Sequence, residues 1–419
     1  MANRIIGNIN QAENLEKLFR EDKKAFELDF KEAYPEIENT EIARFWKVRL
    51  GYDKVAKKDN PILKSDFIAL IVACIITGFL IEIPEIFNID LTKFFFYEKN
   101  AGIIVFFGLT FYSLMNKQVF LPREIIFSLV AFTIPLIYVN LLSSVDESNS
   151  INLVYIHLPL LMWCIYGLVY MNLDFRNKRK RIEYIKHNGD LAVLGALIAI
   201  AGGILTGITM GLFSAIEIKI EEFYFQYIVL IGVVSAPILT TFIIQNFPTF
   251  TDKIAQIIAN IFSPLVLITL VIYLIFIPIS GKDPYNDRDF LLIFNLMLLG
   301  VMAIIVFSIS ESPVNKKQKF NEVVLLSLTM VSLLIDLIAL SAIFYRLTEY
   351  GMTPNRLAVL GSNVLIFGNL ILIMIDLLKV NFGKSKIDQV EFTIARYLPV
   401  YLVWILFVVF AFPFLFGMK

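Results

Sequence analysis

The chain has 419 residues, of which 58% are hydrophobic and 18% charged, and its mean hydropathy is +0.72. Soluble domains are about 45–50% apolar, so a soluble core could not hide this much apolar surface and most of the chain must be surrounded by lipid. Lys plus Arg equal Asp plus Glu at 37 each, so the net charge gives no reason to expect a nucleic-acid partner. Cys74 and Cys164 lie in apolar runs and predict neither a disulfide framework nor a metal cluster.

Residues 1–62 are polar, lack the apolar core of a signal peptide and have helical periodicity. Their apolar residues recur at three- and four-residue steps up to Pro35, which is expected to end a first helix. Asn39 or Thr40 is expected to cap a second helix that runs to Leu50. The segment therefore predicts a short cytosolic helical hairpin, which either packs against a membrane bundle or docks a protein partner.

From residue 66 onward, apolar runs of membrane-spanning length follow one another. Such runs must be helices, because the bilayer core offers no water to bond the backbone. Residues 63–419 therefore predict an all-α polytopic bundle of about eleven transmembrane helices. The second run is short enough to be interfacial or tilted. The predicted spans are 66–84, 100–116, 124–143, 151–172, 189–214, 224–246, 255–279, 288–310, 321–345, 355–378 and 393–417.

The orientation of these spans follows from the Lys and Arg residues in their connections. Alternate connections are basic, namely the stretch before the first span and residues 176–186, 315–319 and 379–386. The others are neutral or acidic. The positive-inside rule then places the N-terminus in the cytosol and the C-terminus outside, in agreement with an odd number of spans.

Spans four and five contain a histidine and a stripe of small residues. His157 lies within span four, where a lone histidine is more often a hydrogen-bonded packing residue than a proton carrier. Small residues in a four-residue register let two helices approach closely, and the partner is either another helix of this chain, which is favoured, or a second subunit. The stripe in span five consists of Gly195, Ala199, Gly203, Gly207 and Gly211.

Span nine carries an ionisable residue, Asp336, deep in its apolar sequence. Thr329 and Ser332 share its face, since the three residues stand at i, i+3 and i+7. A carboxyl group at this depth is costly, which makes Asp336 a candidate for a proton or ion relay. The alternative is an aspartate whose hydrogen bonds hold neighbouring helices together.

The turn between spans nine and ten interrupts the apolar pattern on the outer side. Gly351 suits the left-handed residue that ends one helix. Thr353 followed by Pro354 is typical of the start of the next helix, with Thr353 at the N-cap. The turn should therefore be short and well capped at both helix ends.

Two arginines and a tyrosine lie around this turn. A helix N-terminus attracts anions, so Arg346, Tyr350 and Arg356 could converge there on a lipid headgroup or another anionic group. The alternative is a structural hairpin whose arginines extend to the polar interface.

Span ten has a seven-residue repeat of polar side chains. The repeat indicates a seam that either packs against neighbouring helices or lines a hydrated path. Asp376, near the cytosolic end, lies at about the depth of Arg396 in span eleven, and an ion pair between them would explain both. The seam consists of Asn355, Ser362, Asn369 and Asp376, with Gly361 and Gly368 beside it.

The turn also carries a family resemblance. The stretch "YRLTEYGMTPNR", with the following "LAVLGSNVLIFGNLIL", resembles the bacterial multi-pass inner-membrane family catalogued as domain of unknown function 4153. The N-terminal "LEKLFREDKKAFELDFKEAYPEIENTEIARFWKVRL" is similar to a helical extension in some members of that family. The resemblance implies a bacterial inner-membrane protein and supplies no catalytic residues.

The chemistry-bearing motifs searched for are missing from the sequence. A Walker loop, a His/Cys metal spacing and a nucleophile elbow are all absent, so no metal, cofactor or catalytic residue is predicted. The favoured function is transport or translocation of a small or lipid-like anionic solute. The alternatives are a membrane scaffold or sensor that docks a partner through the N-terminal hairpin, and a lipid-linked glycosyltransferase. The glycosyltransferase rests on the acidic first outer connection, which holds Glu82, Glu85 and Asp90.

Overall fold

The structure is a computed structural model of the whole chain, and its described residues form helices and no strand. They divide into two compact units, Met1–Leu63 and Lys64–Lys419. The residues that the structure describes are 2–9, 11–21, 23–38, 40–56, 64–117, 122–142, 148–215, 219–279, 285, 288–311 and 319–418.

The N-terminal unit contains four helices where the sequence predicts a two-helix hairpin. They are α1 (Ala2–Gly7), α2 (Ala12–Glu21), α3 (Lys23–Ile37) and α4 (Glu41–Ala56). Aromatic rings form the centre of their core, since the ring of Phe26 lies 5.5 Å from that of Phe19 and 4.8 Å from that of Trp46. This core belongs to the unit itself, and the docking role remains a prediction.

The prediction that Pro35 ends the first helix is wrong by two residues. Pro35 lies inside α3, which continues to Ile37. Proline has a helix-compatible φ, and the buried side chain of Ile37 holds the last turn against the core. Thr40 caps α4, because its hydroxyl accepts a hydrogen bond from the backbone N–H of Ala43 at 3.2 Å. Asn39, the other predicted cap, lies outside the described residues.

The larger unit is a bundle of long apolar helices with short connections. Its helices are α5 (Lys64–Ile81), α6 (Ile83–Ile86), α7 (Leu91–Phe94), α8 (Phe96–Met115), α9 (Pro122–Leu141), α10 (Asn149–Tyr170), α11 (Lys178–Ala215), α12 (Glu221–Phe223), which continues through a π-helical turn (Tyr224–Val229) into α13 (Leu230–Asn246), α14 (Pro248–Ile279), α15 (Arg288–Ser310), α16 (Lys319–Tyr350), α17 (Pro354–Asn381) and α18 (Ile387–Leu415).

Among the described residues, seven helices are long and apolar enough to cross a membrane. They comprise α9, α10, α11, α12 with α13, α16, α17 and α18. Shorter apolar stretches lie in α5, α14 and α15. Helix α8, which holds the predicted second span, belongs to neither group, and its first turn buries Lys99 and Asn100. Helices occupy all eleven predicted segments, but a count of eleven crossings stays a prediction.

Among the described residues, the glycine stripe of α11 has little contact with other helices, whereas close packing inside the chain was predicted. A Cβ at Gly195 would only just touch Thr240, and Cβ atoms at Gly203 and Gly207 would meet nothing within 4 Å. Their side of α11 also exposes large apolar residues such as Ile204. Lipid tails solvate such a surface as well as a protein neighbour does, so nothing forces it inward. The surroundings of Gly211 lie outside what the structure describes.

Candidate functional site

A cavity of about 530 Å³ lies inside the bundle between α10, α11, α15, α17 and α18. Its volume is within the usual range for small-molecule sites. Most of its wall is apolar. The polar side chains on the wall are His157, Asn188, Ser362, Asn369 and Tyr401, and the indoles of Trp163 and Trp404 also line it.

The polar seam of α17, whose residues recur every seven positions, forms part of the wall of this cavity. Ser362 and Asn369 are two helical turns apart, so they project from the same face, and both line the cavity. Glycines beside them bring α18 close. A Cβ at Gly368 would lie 2.8 Å from the hydroxyl of Tyr397, and one at Gly361 would overlap the indole of Trp404. The small residues therefore decide how near the aromatic side chains of α18 come to the polar seam.

Hydrogen bonds join the seam to α18 across the cavity wall. The indole N–H of Trp404 donates to Ser362 Oγ at 3.2 Å, and Asn369 Nδ2 donates to the hydroxyl of Tyr401 at 3.0 Å. Asn369 is buried, and its Oδ1 atom has no hydrogen-bond partner among the described residues. Buried polar groups are normally paired, so this unpaired oxygen is unusual in the wall of the cavity.

His157 contributes a second acceptor to the cavity. Its Nδ1 atom lies 2.9 Å from the carbonyl oxygen of Leu153 and must donate, because a carbonyl can only accept. In the neutral ring, Nε2 is then an acceptor. The contact explains why a histidine is tolerated in α10, and it leaves one ring nitrogen for a ligand.

Asp336 is sealed behind this wall and does not line the cavity. It is fully buried in α16, and neither carboxyl oxygen accepts a hydrogen bond from any described residue. The hydroxyls of Thr329 and Ser332 share its face but donate to carbonyls of their own helix. The arrangement disfavours the alternative in which Asp336 joins helices through hydrogen bonds.

The predicted pair between Asp376 and Arg396 does not form. One oxygen of Asp376 accepts from Lys379 Nζ at 2.8 Å and the other from Thr393 Oγ1 at 2.6 Å. Lys379 stands one turn further along the same helix, which brings its ammonium to one carboxylate oxygen, and Thr393 of α18 takes the other. Arg396 is exposed. Asp376 therefore joins α17 to α18 near the C-terminal end of α17 and is not part of the cavity.

The turn between α16 and α17 has the predicted backbone, and one of its arginines has a different role from the predicted one. Gly351 is left-handed with φ of +76°, and the Thr353 hydroxyl accepts from the backbone N–H of Arg356. The Arg356 guanidinium donates to the carbonyl oxygens of Tyr350 and Gly351, both at 2.7 Å. These carbonyls end α16, so Arg356 caps that helix. This favours the structural hairpin over an anion site.

Arg346 and Arg356 do approach the same side chain. Their guanidinium carbons lie 6.0 and 5.5 Å from the ring centre of Tyr350. Such distances are typical of cation–π contacts. The three residues predicted to bind an anion therefore do meet. The guanidinium of Arg356 is already bonded to two carbonyl oxygens. The Nη1 atom of Arg346 has no hydrogen-bond partner among the described residues.

Removing the Arg356 cap should weaken the fold modestly. Arg356→Gln is expected to lower the free energy of unfolding by about 1–2 kcal/mol, because two charge-assisted hydrogen bonds are lost at a partly exposed site. Arg346→Gln, which touches the same ring, is the control and should have a smaller effect. The measurement is SDS-induced unfolding in mixed micelles. Unchanged stability in Arg356→Gln would contradict the capping role and return this arginine to the anion hypothesis.

One buried cluster was not predicted from the sequence. His187 lies in the predicted connection before span five, yet α11 begins at Lys178 and His187 is buried. Its Nε2 atom lies 3.2 Å from the hydroxyl of Tyr166, and its ring stacks on Tyr170 at 4.9 Å. The helical spacing of apolar residues upstream of Gly189 could have predicted this extension of α11, but the surrounding positive charges obscured it.

The three acidic residues that follow α5 have different surroundings. Glu82 is buried, Glu85 accepts from Gln226 at 2.8 Å, and Asp90 pairs with Lys93 at 3.6 Å. Among the described residues, no three His, Cys, Asp or Glu side chains gather in a way that could hold a metal ion. None of these contacts adds support to the glycosyltransferase hypothesis.

No protein-family model matches the chain, and no curated protein or solved structure shows significant similarity to it. The resemblance to the domain of unknown function 4153 family therefore stays a prediction.

Proposed function

We propose that the chain is a transporter or translocator of a small or lipid-like solute, which it binds in the mid-membrane cavity. The observation that carries this proposal is the cavity wall at Asn369, a residue that lines the cavity and whose buried Oδ1 atom has no partner among the described residues. Leaving such an atom unpaired costs about 1–3 kcal/mol, and a bound solute would offset that cost. Helix packing alone gives no reason to keep it.

Asp336 is the proposed coupling residue. Its carboxyl is fully buried in α16, and neither oxygen has a hydrogen-bond partner among the described residues. Intramembrane carboxyls that take up and release protons serve this purpose in transporters, and the same group would link solute binding to proton movement.

The proposed setting is the inner membrane of a bacterium, with the N-terminus in the cytosol and the C-terminus outside. The basic run at 176–181 supports this orientation under the positive-inside rule. Apolar side chains exposed along the long helices support direct contact with the bilayer.

The test measures translocation in proteoliposomes that carry acyl-labelled NBD-phosphatidylglycerol or NBD-glucosylceramide, with dithionite bleaching as the readout. Wild-type protein should speed the transbilayer movement of at least one probe over protein-free vesicles. Asp336→Asn, which keeps the shape and removes the charge, should reduce that rate at least tenfold. Asp90→Asn at the exposed outer connection is the control and should retain the rate. No acceleration of either probe would overturn the proposal, and an unchanged rate in Asp336→Asn would remove Asp336 from the mechanism.

A further inference from the structure

The cavity wall carries no charge. None of the described residues that line it is Asp, Glu, Lys or Arg. In a low-dielectric interior an ionised headgroup would need an opposite charge beside it, because desolvating an unpaired ion costs several kcal/mol or more. Arg356, which the sequence suggested as a partner for an anion, donates instead to two carbonyl oxygens at the turn between α16 and α17. The anionic solute expected from the sequence therefore has no charge partner on the wall of this cavity.

The polar atoms on the wall match a neutral group that both donates and accepts. Asn369 Oδ1 and His157 Nε2 are acceptors. The hydroxyls of Ser362 and Tyr401 already accept from Trp404 and Asn369, which leaves their own hydrogens to donate. A hydroxyl or an amide satisfies both kinds of partner at once, whereas a carboxylate or phosphate only accepts.

Two residues of the cavity wall are exposed at the height where the bilayer is most apolar. Leu160 and Leu299 line the cavity and are 45% and 52% exposed. Each lies at the middle of its helix, since α10 is Asn149–Tyr170 and α15 is Arg288–Ser310. A residue at the middle of a membrane-spanning helix lies near the bilayer midplane. A mouth beside these leucines would therefore face hydrocarbon rather than water.

From these three observations we infer that the cavity binds an uncharged, hydroxyl- or amide-bearing amphiphile that enters sideways from the lipid. Its polar group bonds Asn369 and its neighbours, and its apolar chain lies along the aliphatic wall towards the mouth. The inference deepens the proposed function by naming the class of solute. It concerns binding, so it is tested apart from translocation.

Two of the three tryptophans of the chain, Trp163 and Trp404, line the cavity and can report its occupancy. The reporter protein is full-length Trp46→Phe in nanodiscs, and the probe is 12-bromododecanol, whose bromine quenches nearby indoles. Quenching should saturate and be reversed by dodecanol. Dodecanoate, dodecyl phosphate and dodecane should reverse it at least tenfold less well, because the first two bring an unpaired charge and the third has no polar group.

The matched variants are Asn369→Leu and Asn363→Leu. Asn363 is also buried in α17, but it bonds Asn295 at 2.7 Å and lies off the cavity wall. Asn369→Leu should weaken bromododecanol about tenfold, the value of one hydrogen bond, and Asn363→Leu should not.

Three outcomes would overturn the inference. They are stronger competition by dodecanoate or dodecyl phosphate than by dodecanol, quenching that never saturates, and equal binding by Asn369→Leu. Binding of the alcohol without probe translocation would instead refute transport and leave the ligand class in place. Translocation of phosphatidylglycerol without alcohol binding would do the reverse.

Discussion

Replacing Asp336 with leucine is expected to stabilise the bundle by about 2–3 kcal/mol while it removes activity, since a carboxyl at the centre of a membrane helix is costly unless it is paired. The carboxyl of Asp336 is fully buried and accepts no hydrogen bond from any described residue. In the unfolded chain the same carboxyl can reach water, so its desolvation destabilises only the native state. SDS-induced unfolding in mixed micelles measures the change.

Asp376→Leu is the matched control, because that aspartate lies on the next helix and is fully paired. Its oxygens accept from Lys379 and Thr393, so the substitution should destabilise the bundle by about 1–2 kcal/mol. Opposite signs for the two variants would separate a residue kept for function from one kept for structure. A loss of stability in Asp336→Leu comparable to that in Asp376→Leu would show that Asp336 holds helices together after all.

The positions of the helices could be predicted from the sequence, because backbone groups in lipid must form their hydrogen bonds within the segment. The caps of the turn between α16 and α17 could also be predicted, since Gly351, Thr353 and Pro354 act within a few residues of one another. Local rules of this kind depend only on neighbouring side chains. They do not depend on which helices meet.

The grouping of the polar residues could not be read in the same way. His157 and Asn369 are each visible as polar residues in apolar runs, but their meeting on the wall of one cavity depends on how closely α18 approaches α17. That approach is fixed by Gly361 beneath the indole of Trp404, a contact between residues 43 positions apart in the chain. Nothing in the periodicity of either helix specifies it.

Two errors of the sequence argument share a physical cause. Asp376 was expected to pair with Arg396 at equal depth, yet Lys379 on its own helix reaches it first. His187 was placed in a connection because the charges before it end the apolar run, yet α11 continues as a helix through them. Hydropathy predicts where an apolar span ends. It does not predict where the helix ends or which charged side chains pair beyond the span.

The second large effect is expected at Lys117→Met, which should lower the free energy of unfolding by roughly 3–5 kcal/mol. Lys117 Nζ lies 2.8 Å from Glu124 Oε2 and donates to the carbonyl oxygen of Val169 at 3.0 Å, so one ammonium joins α9 and α10 beside the end of α8. The Glu124 side chain is only 1% exposed, so methionine at residue 117 would strand its carboxyl away from water.

The control for this prediction is Lys93→Met, whose pair with Asp90 spans 3.6 Å between two exposed side chains and should contribute less than about 1 kcal/mol. The double variant Lys117→Met/Glu124→Leu should recover most of the loss, because it removes the stranded carboxyl together with its cation. Recovery would identify the buried charge, and not the length of the lysine side chain, as the source of the effect. Equal losses in Lys117→Met and Lys93→Met, or no recovery in the double variant, would contradict the assignment and place the cost in packing at the ends of the helices.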